Sequence, residues 1–285
     1  MSDILPTEEP LFNTLAILGL GLIGGSFALA AHKKKLARNI VAFDPNVRNL
    51  AQASAEGIIE QGFSNMKDAI MHADGVILAA PVRAIVELLS EMASHLKPNA
   101  FVMDLGSTKQ EIVAVMSQLP DHIQVIGGHP MAGKEISGYS AAEATLFEGA
   151  TFALCPCAQT TQATRDLAEK VVKAMGAHPL HVDAMAHDTA VARISHLPYL
   201  LSATLAHAAS PEGVSRQLAA SGYRDTSRLA GSDPTMMLNI LLTNATPLKA
   251  AIADSRAALD RLEQLLTAGN ESGLRAWMEE ARTRR

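Results

Sequence analysis

The chain has 285 residues, of which 48% are hydrophobic and 19% are charged, and its formal net charge at pH 7 is −5. This length exceeds the usual size of one domain, and the apolar content is ample for a large core. The acidic balance argues against a nucleic-acid-binding protein, which normally shows a basic face or stripe. No apolar run approaches the roughly 18 residues that a membrane-spanning helix needs, and residues 1–10 lack the basic start and apolar core of a signal peptide. We therefore expect a cytoplasmic protein of two domains, without a nucleic-acid or membrane partner.

The first element is an apolar run at residues 15–18, followed by three spaced glycines, Gly19, Gly21 and Gly24. The spacing is typical of a strand, a tight turn and the start of a helix. Gly19 permits the turn, Gly21 lets the backbone approach a pyrophosphate, and Gly24 allows the helix to pack closely on the strand. The phosphates then lie at the helix N-terminus, where free N–H groups and the helix dipole favour negative charge.

A second apolar run, residues 40–43, ends at Asp44. An acid about 20 residues beyond the glycine turn is placed to accept hydrogen bonds from the adenosine ribose of a dinucleotide. It also repels a 2′-phosphate, so NAD is favoured over NADP. A glycine turn alone can simply reverse the chain, but the strand, the helix and the acid together indicate a dinucleotide site.

After Asp44 the chain alternates between short apolar runs and longer helical segments. The runs are residues 76–80, 101–105, 124–128, 151–155 and 178–182, and the helical segments are 83–95, 109–119 and 161–175. This alternation predicts an α/β domain of the Rossmann type, with a doubly wound parallel sheet and helices on both faces. We assign it residues 1–183.

The character of the sequence changes at residue 184, beyond which strand-like runs disappear. Ala, Leu and Met recur at helical spacing up to residue 205 and again over residues 233–244 and 247–266. Residues 184–285 are therefore expected to form an all-α domain. Its apolar stretches at 197–209 and 236–242 look too extensive for a bundle of this size to bury alone, which predicts a homodimer through this domain.

The two cysteines, Cys155 and Cys157, are separated only by Pro156. Their side chains point the same way along a strand, so a disulfide between them is not expected. Two thiols without matching partners also make a poor zinc site. We expect both cysteines to pack as small apolar side chains and to stay reduced, and we expect no metal site.

Ligands of a doubly wound sheet bind beyond the carboxyl ends of the strands, so residues that directly follow strands are candidates for chemistry. His129 follows the run 124–128 and lies between glycine and proline. A histidine in such a loop can be structural, but its pKa range suits a general base near neutrality. Ser107, at the end of a neighbouring run, can bond either the imidazole or a substrate oxygen. An NAD enzyme that oxidises an alcohol needs one base, and His129 fits that role.

The helical half offers a second set of polar side chains. Ser195, His196 and Tyr199 interrupt an apolar helix, where an unpaired polar group costs about 1–3 kcal/mol. Arg224 and Arg228 are four residues apart, and a guanidinium binds carboxylates in bidentate fashion. We expect Arg224 to pair with an acid at the surface and Arg228 to form an anion site.

Five segments of the sequence are similar to motifs of the prephenate and arogenate dehydrogenases of tyrosine biosynthesis, a resemblance that runs from about residue 15 to 244. They are Gly19-x-Gly21-x-x-Gly24-Gly25-Ser26, Asp104-Leu-Gly-Ser107-Thr-Lys109, Gly128-His129-Pro130-Met131-Ala132-Gly133-Lys-Glu135-x-Ser137-Gly138, His187-Asp188 with Ser195-His196-Leu197-Pro198, and Tyr223-Arg-Asp225-x-Ser-Arg228. The third and fourth are far more specific than the glycine fingerprint.

The resemblance implies an NAD-dependent oxidative decarboxylation of a cyclohexadienyl ring, in which the 4-hydroxyl is oxidised and the ring carboxylate leaves as carbon dioxide. It implies that His129 is the base on the 4-hydroxyl, that Ser107 orients this hydroxyl, and that Arg228 binds the ring carboxylate. It places Asp188 near the pocket entrance. The other implied substrate residues are Ser195, His196, Tyr199 and Glu135. The implied cofactor residues are Gly19, Gly21, Leu22, Ile23, Gly24, Asp44, Ala80, Pro81 and Ser107.

Two departures from the family pattern leave the substrate open. Tyr199 stands where some prephenate-specific members carry a histidine, and Met237 stands where some carry a tryptophan. Prephenate, arogenate or both remain candidate substrates. We expect no fused mutase or regulatory segment. A β-hydroxyacid or imine reductase of similar layout and a nucleotide sensor without catalysis are the alternatives. Such reductases rely on a lysine and an asparagine where this helical half offers His196, Tyr199 and Arg228.

Overall fold

The computed structural model describes residues 9–134, 136–209 and 212–284. The described residues form one sheet of eight strands. The strands are β1 Phe12–Leu18, β2 Ala37–Phe43, β3 Gln61–Phe63, β4 Gly75–Leu78, β5 Phe101–Asp104, β6 Gln124–Pro130, β7 Thr151–Pro156 and β8 His178–His181, and their order in the sheet is β3-β2-β1-β4-β5-β6-β7-β8. The reversal of strand order beside β1, typical of a doubly wound sheet, is where such folds bind ligands.

Helices connect most strands and then make up the rest of the chain. The helices of the sheet region are α1 Leu22–Lys33, α2 Val47–Ala55, α3 Met66–Ile70, α4 Val82–Met92, α5 Gln110–Met116 and α6 Gln162–Ala174. Those that follow are α7 Ala184–Val191, α8 Leu197–Ala209, α9 Gly213–Leu218, α10 Ser221–Ser227, α11 Pro234–Thr243, α12 Ala245–Thr267 and α13 Glu271–Arg284. A π-helical turn, Ala192–His196, separates α7 from α8. The expected division into an α/β part and an all-α part is confirmed.

Both faces of the sheet are buried, because alternate residues of a strand enter different cores. Leu15 of β1 belongs to one apolar cluster together with Phe27 of α1. Leu18 of the same strand belongs to a second cluster together with Ile85 of α4. The near-continuous apolar runs of the sequence are therefore strands that are covered on both sides.

The sheet is mostly parallel, but the expectation of a wholly parallel sheet was wrong for its last two strands. The pairs from β3 to β6 are parallel, β7 is antiparallel to β6, and β8 is parallel to β7. A parallel neighbour needs a crossover, whereas the described residues between 131 and 150 contain only the short 3₁₀ turn Tyr139–Ala141. The chain therefore re-enters the sheet at the edge where β6 ended, and the N–H of Met131 donates to the carbonyl of Thr151 at 2.8 Å.

In a single copy of the chain, the helical part exposes large apolar side chains to solvent. Leu201 of α8 is 43% exposed, and Leu238 and Leu242 of α11 are 54% and 55% exposed. These residues lie in the two stretches from which an interface was predicted. Among the described residues, no helix combines the length and apolar character needed to cross a membrane.

Candidate active site

The glycine turn after β1 has the geometry that each glycine was expected to permit. Gly19 has φ +99°, in the region that favours glycine. A Cβ on Gly24 would lie 1.9 Å from the carbonyl oxygen of Gly19, so a side chain there would push α1 away from the turn. A Cβ on Gly21 would meet no protein atom within 4 Å. Gly19 and Gly24 are thus packed against other backbone atoms, whereas Gly21 leaves space for a ligand. Gly21 directly precedes Leu22 and Ile23 at the start of α1.

A cavity of about 380 Å³ opens beside this turn. Among the predicted cofactor residues it is lined by Gly19, Gly21, Asp44, Ala80 and Pro81. These residues follow β1, β2 and β4, which are mutually parallel, so they meet at one edge of the sheet. An open backbone turn at a helix N-terminus, with an acid across the cavity, fits the pyrophosphate and ribose of a dinucleotide.

The carboxylate of Asp44 is buried and held by backbone groups on both sides. Oδ2 accepts the N–H of Leu20 at 2.6 Å, and Oδ1 accepts the N–H of Asn46 at 2.7 Å. A carboxylate oxygen has a second lone pair, so both oxygens can still accept from ribose hydroxyls. Asp44 therefore fixes the turn after β1 and also faces the cavity.

His129, near the end of β6, belongs to a hydrogen-bonded chain of three side chains. Its Nδ1 lies 2.9 Å from Nε2 of His187, and Nδ1 of His187 lies 2.8 Å from Oδ1 of Asp188. An ionised carboxylate only accepts, so His187 carries its proton on Nδ1 and accepts from His129 at Nε2. His129 is then protonated on Nδ1, and its Nε2 lone pair has no partner among the described residues. This tautomer is the one that a general base requires.

The backbone at the start of α5 keeps Asp188 ionised. Its Oδ1 accepts the N–H of Lys109 at 2.7 Å, and its Oδ2 accepts the N–H of Gln110 at 2.9 Å. Burial alone would raise the pKa of Asp188, but the bond from His187 and these two N–H bonds outweigh it and lower the pKa. Asp188 is therefore a fixed negative charge at the end of the chain from His129.

His129 itself is held neutral. Its surroundings lower its pKa well below the usual value for histidine, mainly through burial and also through the nearby His187, Lys109 and His196. A base must be unprotonated before it can act, and this environment keeps Nε2 unprotonated at neutral pH.

A buried ion pair between Lys109 and Asp104 fixes the strand ends that carry the candidate groups. Nζ of Lys109 also donates to the carbonyl of Gly128 at 2.6 Å, and Oδ1 of Asp104 accepts the N–H of Gly128 at 3.0 Å. The residue before His129 is therefore held through both of its backbone groups. Lys109 has no exposed surface, so this pair positions the site and does not meet solvent.

His196 enters the same cluster from the helical part. The π-helical turn that ends at His196 buries this ring, and its Nδ1 lies 3.1 Å from Nδ2 of Asn244. Burial lowers the pKa of His196 to about 4; Asp188 opposes this shift and His187 adds to it. His196 is therefore a neutral ring, and its hydrogen-bond partner is Asn244, which lies outside the His129–His187–Asp188 chain.

The remaining predicted residues have the following positions in the structure. Ser107 is partly exposed after β5, but the ring partner of His129 among the described residues is His187 rather than Ser107. Ser195 is exposed, and Tyr199 of α8 is half-buried. Arg228 is exposed and opens the 3₁₀ turn Arg228–Gly231. Glu135 lies outside the described residues.

Sequence reasoning did not find the roles of His187 and Asn244, and it gave Asp188 only a place at the pocket entrance. A usable signal is the His187-Asp188 pair in the Ala-rich helix α7, because two adjacent polar side chains that are buried there must find partners. Asn244 gives no comparable signal, since an Asn between two helices is typical of an ordinary cap.

The site combines a glycine turn, a buried acid and a histidine held as a neutral base at one edge of a doubly wound sheet. These are the features of a dinucleotide-dependent dehydrogenase site. The chain belongs to the prephenate dehydrogenase family. Residues 27–180 match the nucleotide-binding domain of prephenate dehydrogenase, and residues 183–280 match its dimerization domain.

Individual relatives agree with this assignment. The chain is 35% identical to prephenate dehydrogenase of Bacillus subtilis over 238 residues, 81% of this chain and 64% of that protein. It is 35% identical to prephenate dehydrogenase of Lactococcus lactis over 276 residues, 94% of this chain and 75% of that protein. The chain thus matches just under two thirds of the length of the Bacillus relative.

Two solved structures share the whole architecture. Prephenate dehydrogenase of Aquifex aeolicus, in complex with hydroxyphenyl propionate and NAD⁺, superposes with a TM-score of 0.88 at 29% identity, over 96% of this chain and 97% of that one. Synechocystis arogenate dehydrogenase superposes with a TM-score of 0.82 at 29% identity, over 95% of this chain and 98% of that one.

Proposed function

We propose that this chain is an NAD-dependent dehydrogenase that converts prephenate to 4-hydroxyphenylpyruvate and carbon dioxide. The observation that carries the proposal is the His129–His187–Asp188 chain, which leaves the Nε2 lone pair of His129 free at the same sheet edge as the glycine turn. The Aquifex relative, whose structure contains NAD⁺ and a hydroxyphenyl acid, supports both the cofactor and the ligand class.

The residues of the site account for the proton in this reaction. Nε2 of His129 takes the proton of the substrate 4-hydroxyl, and the positive charge that forms on the ring is shared through His187 with Asp188. NAD, when bound, would accept the hydride that leaves C4 as the C4–H bond breaks. The bond to the ring carboxylate then breaks, carbon dioxide leaves, and the bonding electrons make the ring aromatic. The imidazolium of His129 returns its proton to the phenolate oxygen.

The substrate side of the proposal rests on the family motifs. We place Arg228 against the ring carboxylate, because a guanidinium binds a carboxylate in bidentate fashion. Ser107 orients the 4-hydroxyl, and Ser195, His196, Tyr199 and Glu135 line the rest of the pocket. The predicted cofactor residues hold NAD, with Asp44 on the ribose.

Arogenate is the second candidate substrate, because an arogenate dehydrogenase superposes on 95% of this chain. Tyr199 and Met237 are the positions at which the side chain of the substrate is expected to be distinguished. A steady-state comparison of prephenate and arogenate, each with NAD and NADP, tests the substrate and the cofactor together by the absorbance of reduced cofactor. Turnover of prephenate with NAD is expected, and turnover of neither substrate would refute the proposal.

The variant His129→Asn tests the assignment of the base. A positioned general base contributes about 10²- to 10⁴-fold in rate, so turnover should fall by that factor while the affinity for NAD stays the same. Near-normal turnover would remove His129 from the role.

We further propose that the chain forms a homodimer through residues 184–285 and works in the cytoplasm. Exposed apolar side chains such as Leu238 and Leu242 support the interface, as does the match to a family dimerization domain. The free cysteines Cys155 and Cys157, both buried, suit a reducing compartment. Light scattering at micromolar concentration should give twice the mass of the chain, and a monomer there would refute the interface.

A further inference from the structure

The side chain of Asn244, at the junction of α11 and α12, is almost fully buried, with 1% of its surface exposed. Its Nδ2 donates to the main-chain oxygen of Asp188 at 2.8 Å and lies 3.1 Å from Nδ1 of His196. Its Oδ1 is the one buried side-chain oxygen or nitrogen among the described residues that has no hydrogen-bond partner. Buried polar atoms are normally paired, so this arrangement calls for an explanation beyond stability.

The orientation of this amide follows from its partners. The main-chain oxygen of Asp188 can only accept a hydrogen bond, so the nitrogen of Asn244, and not its oxygen, must face it. A flipped amide would set two oxygens against each other. Since the same nitrogen only donates, the Nδ1 that it approaches on His196 must be an acceptor. The ring of His196 is therefore neutral and carries its proton on Nε2.

The Nε2–H of His196 has no partner within the described part of the chain, and it is not sealed from solvent as Oδ1 of Asn244 is. The ring also lies close enough to His129 to contribute to the lowered pKa of His129. The cluster thus offers two Nε2 atoms of opposite character: that of His129 accepts, and that of His196 donates.

We propose that Asn244 is a positioning residue that holds His196 in the Nε2–H tautomer, so that His196 donates a hydrogen bond to an oxygen of the bound substrate. The inference rests on the proposed function for the identity of that substrate. The tautomer of His196 does not depend on the proposed function, because the amide of Asn244 sets it in the free protein. The orphaned Oδ1 is explained as well, because the amide is oriented for two acceptors and leaves its oxygen without a donor.

The variant Asn244→Asp tests the proposal because it keeps the shape of the side chain and replaces the N–H donor with an acceptor. His196 then has to place a proton on Nδ1, either as the Nδ1–H tautomer or as a ring protonated on both nitrogens, and the neutral Nε2–H tautomer is lost in both cases. The matched control is Asn239→Asp in α11, the helix that ends just before Asn244, because Nδ2 of Asn239 donates within α11, to the carbonyl of Thr235 at 2.8 Å.

The direct measurement is the long-range ¹H–¹⁵N spectrum of the histidine rings, with the His196 signals assigned by His196→Gln. At pH 7 the wild-type ring should show a protonated Nε2 and an unprotonated Nδ1. Asn244→Asp should change this pattern, and Asn239→Asp should keep it. If Asn244→Asp does not fold, Asn244→Ala replaces it, because it removes the donor and should let the Nδ1–H tautomer appear.

Kinetics supply the second readout. Loss of a hydrogen bond to a charged substrate oxygen lowers kcat/KM by about 10- to 100-fold, so Asn244→Asp should show this loss and the control should not. In a His196→Gln background the glutamine amide keeps an N–H in place of Nε2–H, and Asn244→Asp should then add little further loss.

A wild-type spectrum with a proton on Nδ1 of His196 at pH 7 would overturn the proposal without any variant, and so would an unchanged tautomer in Asn244→Asp. A chain that turned over neither prephenate nor arogenate would refute the proposed function instead, while the ring spectra would still decide the role of Asn244.

Discussion

The bond between His129 and His187 is the part of the site whose removal gives the sharpest test. His187 is 4% exposed, and leucine fills a similar volume without a hydrogen-bonding group. His187→Leu therefore keeps the packing and removes the acceptor for Nδ1–H of His129. Asp188 retains its two backbone donors, from Lys109 and Gln110. We expect kcat to fall by about 10- to 100-fold, with KM for prephenate little changed.

The magnitude follows from the charge that forms during the reaction. When His129 takes the substrate proton, its Nδ1–H bond becomes a bond from a charged donor, which is worth about 1.5–3 kcal/mol. Each 1.4 kcal/mol corresponds to about a factor of ten in rate. The freed ring can also adopt the Nε2–H tautomer, which is inactive as a base and reduces the rate by a further small factor.

Steady-state turnover at saturating NAD measures the effect, with His181→Leu at the exposed end of β8 as the control. Because His187 acts through His129, the double variant His129→Asn/His187→Leu should be no slower than His129→Asn alone. The reasoning would be refuted if kcat of His187→Leu stayed within about twofold of wild type, or if the two single losses multiplied in the double variant.

Three further predictions concern the cofactor turn, the substrate anchor and pH. Gly21→Val should weaken NAD binding by calorimetry without lowering Tm, because its side chain meets open space, whereas Gly24→Ala should lower Tm, because its Cβ would lie 1.9 Å from the oxygen of Gly19. Arg228→Ala should raise KM for prephenate by about 30-fold or more and leave kcat nearly unchanged; a change in kcat alone would refute the anchor. The His196 pKa, about 4 when folded against about 6.5 when unfolded, means that the unfolded ring takes up its proton first as pH falls. The stability that this group contributes above pH 6.5 is therefore lost toward pH 4. Urea unfolding should show about 2 kcal/mol less stability from this ring at pH 5 than at pH 7, and His196→Gln should lack that part of the loss.

The local pattern of the sequence predicts the nucleotide turn well, because every interaction that shapes it lies within a short segment. Gly19 and Gly24 are the first and last residues of a six-residue segment, and the apolar run before it is buried on both faces. His129 could likewise be placed at a strand end, since the run 124–128 marks that strand. These features depend on side-chain volume and backbone conformation, which can be read from neighbouring residues.

The direction of β7 and β8 and the partner of His129 could not be predicted in the same way. The reversal depends on residues 131–150, which carry neither helical nor strand periodicity, so their path is set by contacts such as Tyr139 Oη with Glu56, 83 residues apart. His187 meets His129 across 58 residues, and Asn244 meets Asp188 across 56. A hydrogen bond of this kind forms only after α7 has packed against the sheet edge.

Asp188 links these long-range contacts, because it sets the tautomers of two histidines through two different groups. Its carboxylate fixes His187 and, through it, leaves the Nε2 of His129 as an acceptor. Its main-chain oxygen fixes the amide of Asn244 and thereby leaves the Nε2 of His196 as a donor. The same carboxylate is held by the N-terminus of α5 in the sheet domain. Any displacement of α7 from the sheet edge would therefore disturb the acceptor and the donor together, so the assembled interface between the two parts of the chain is itself a condition for the proposed activity.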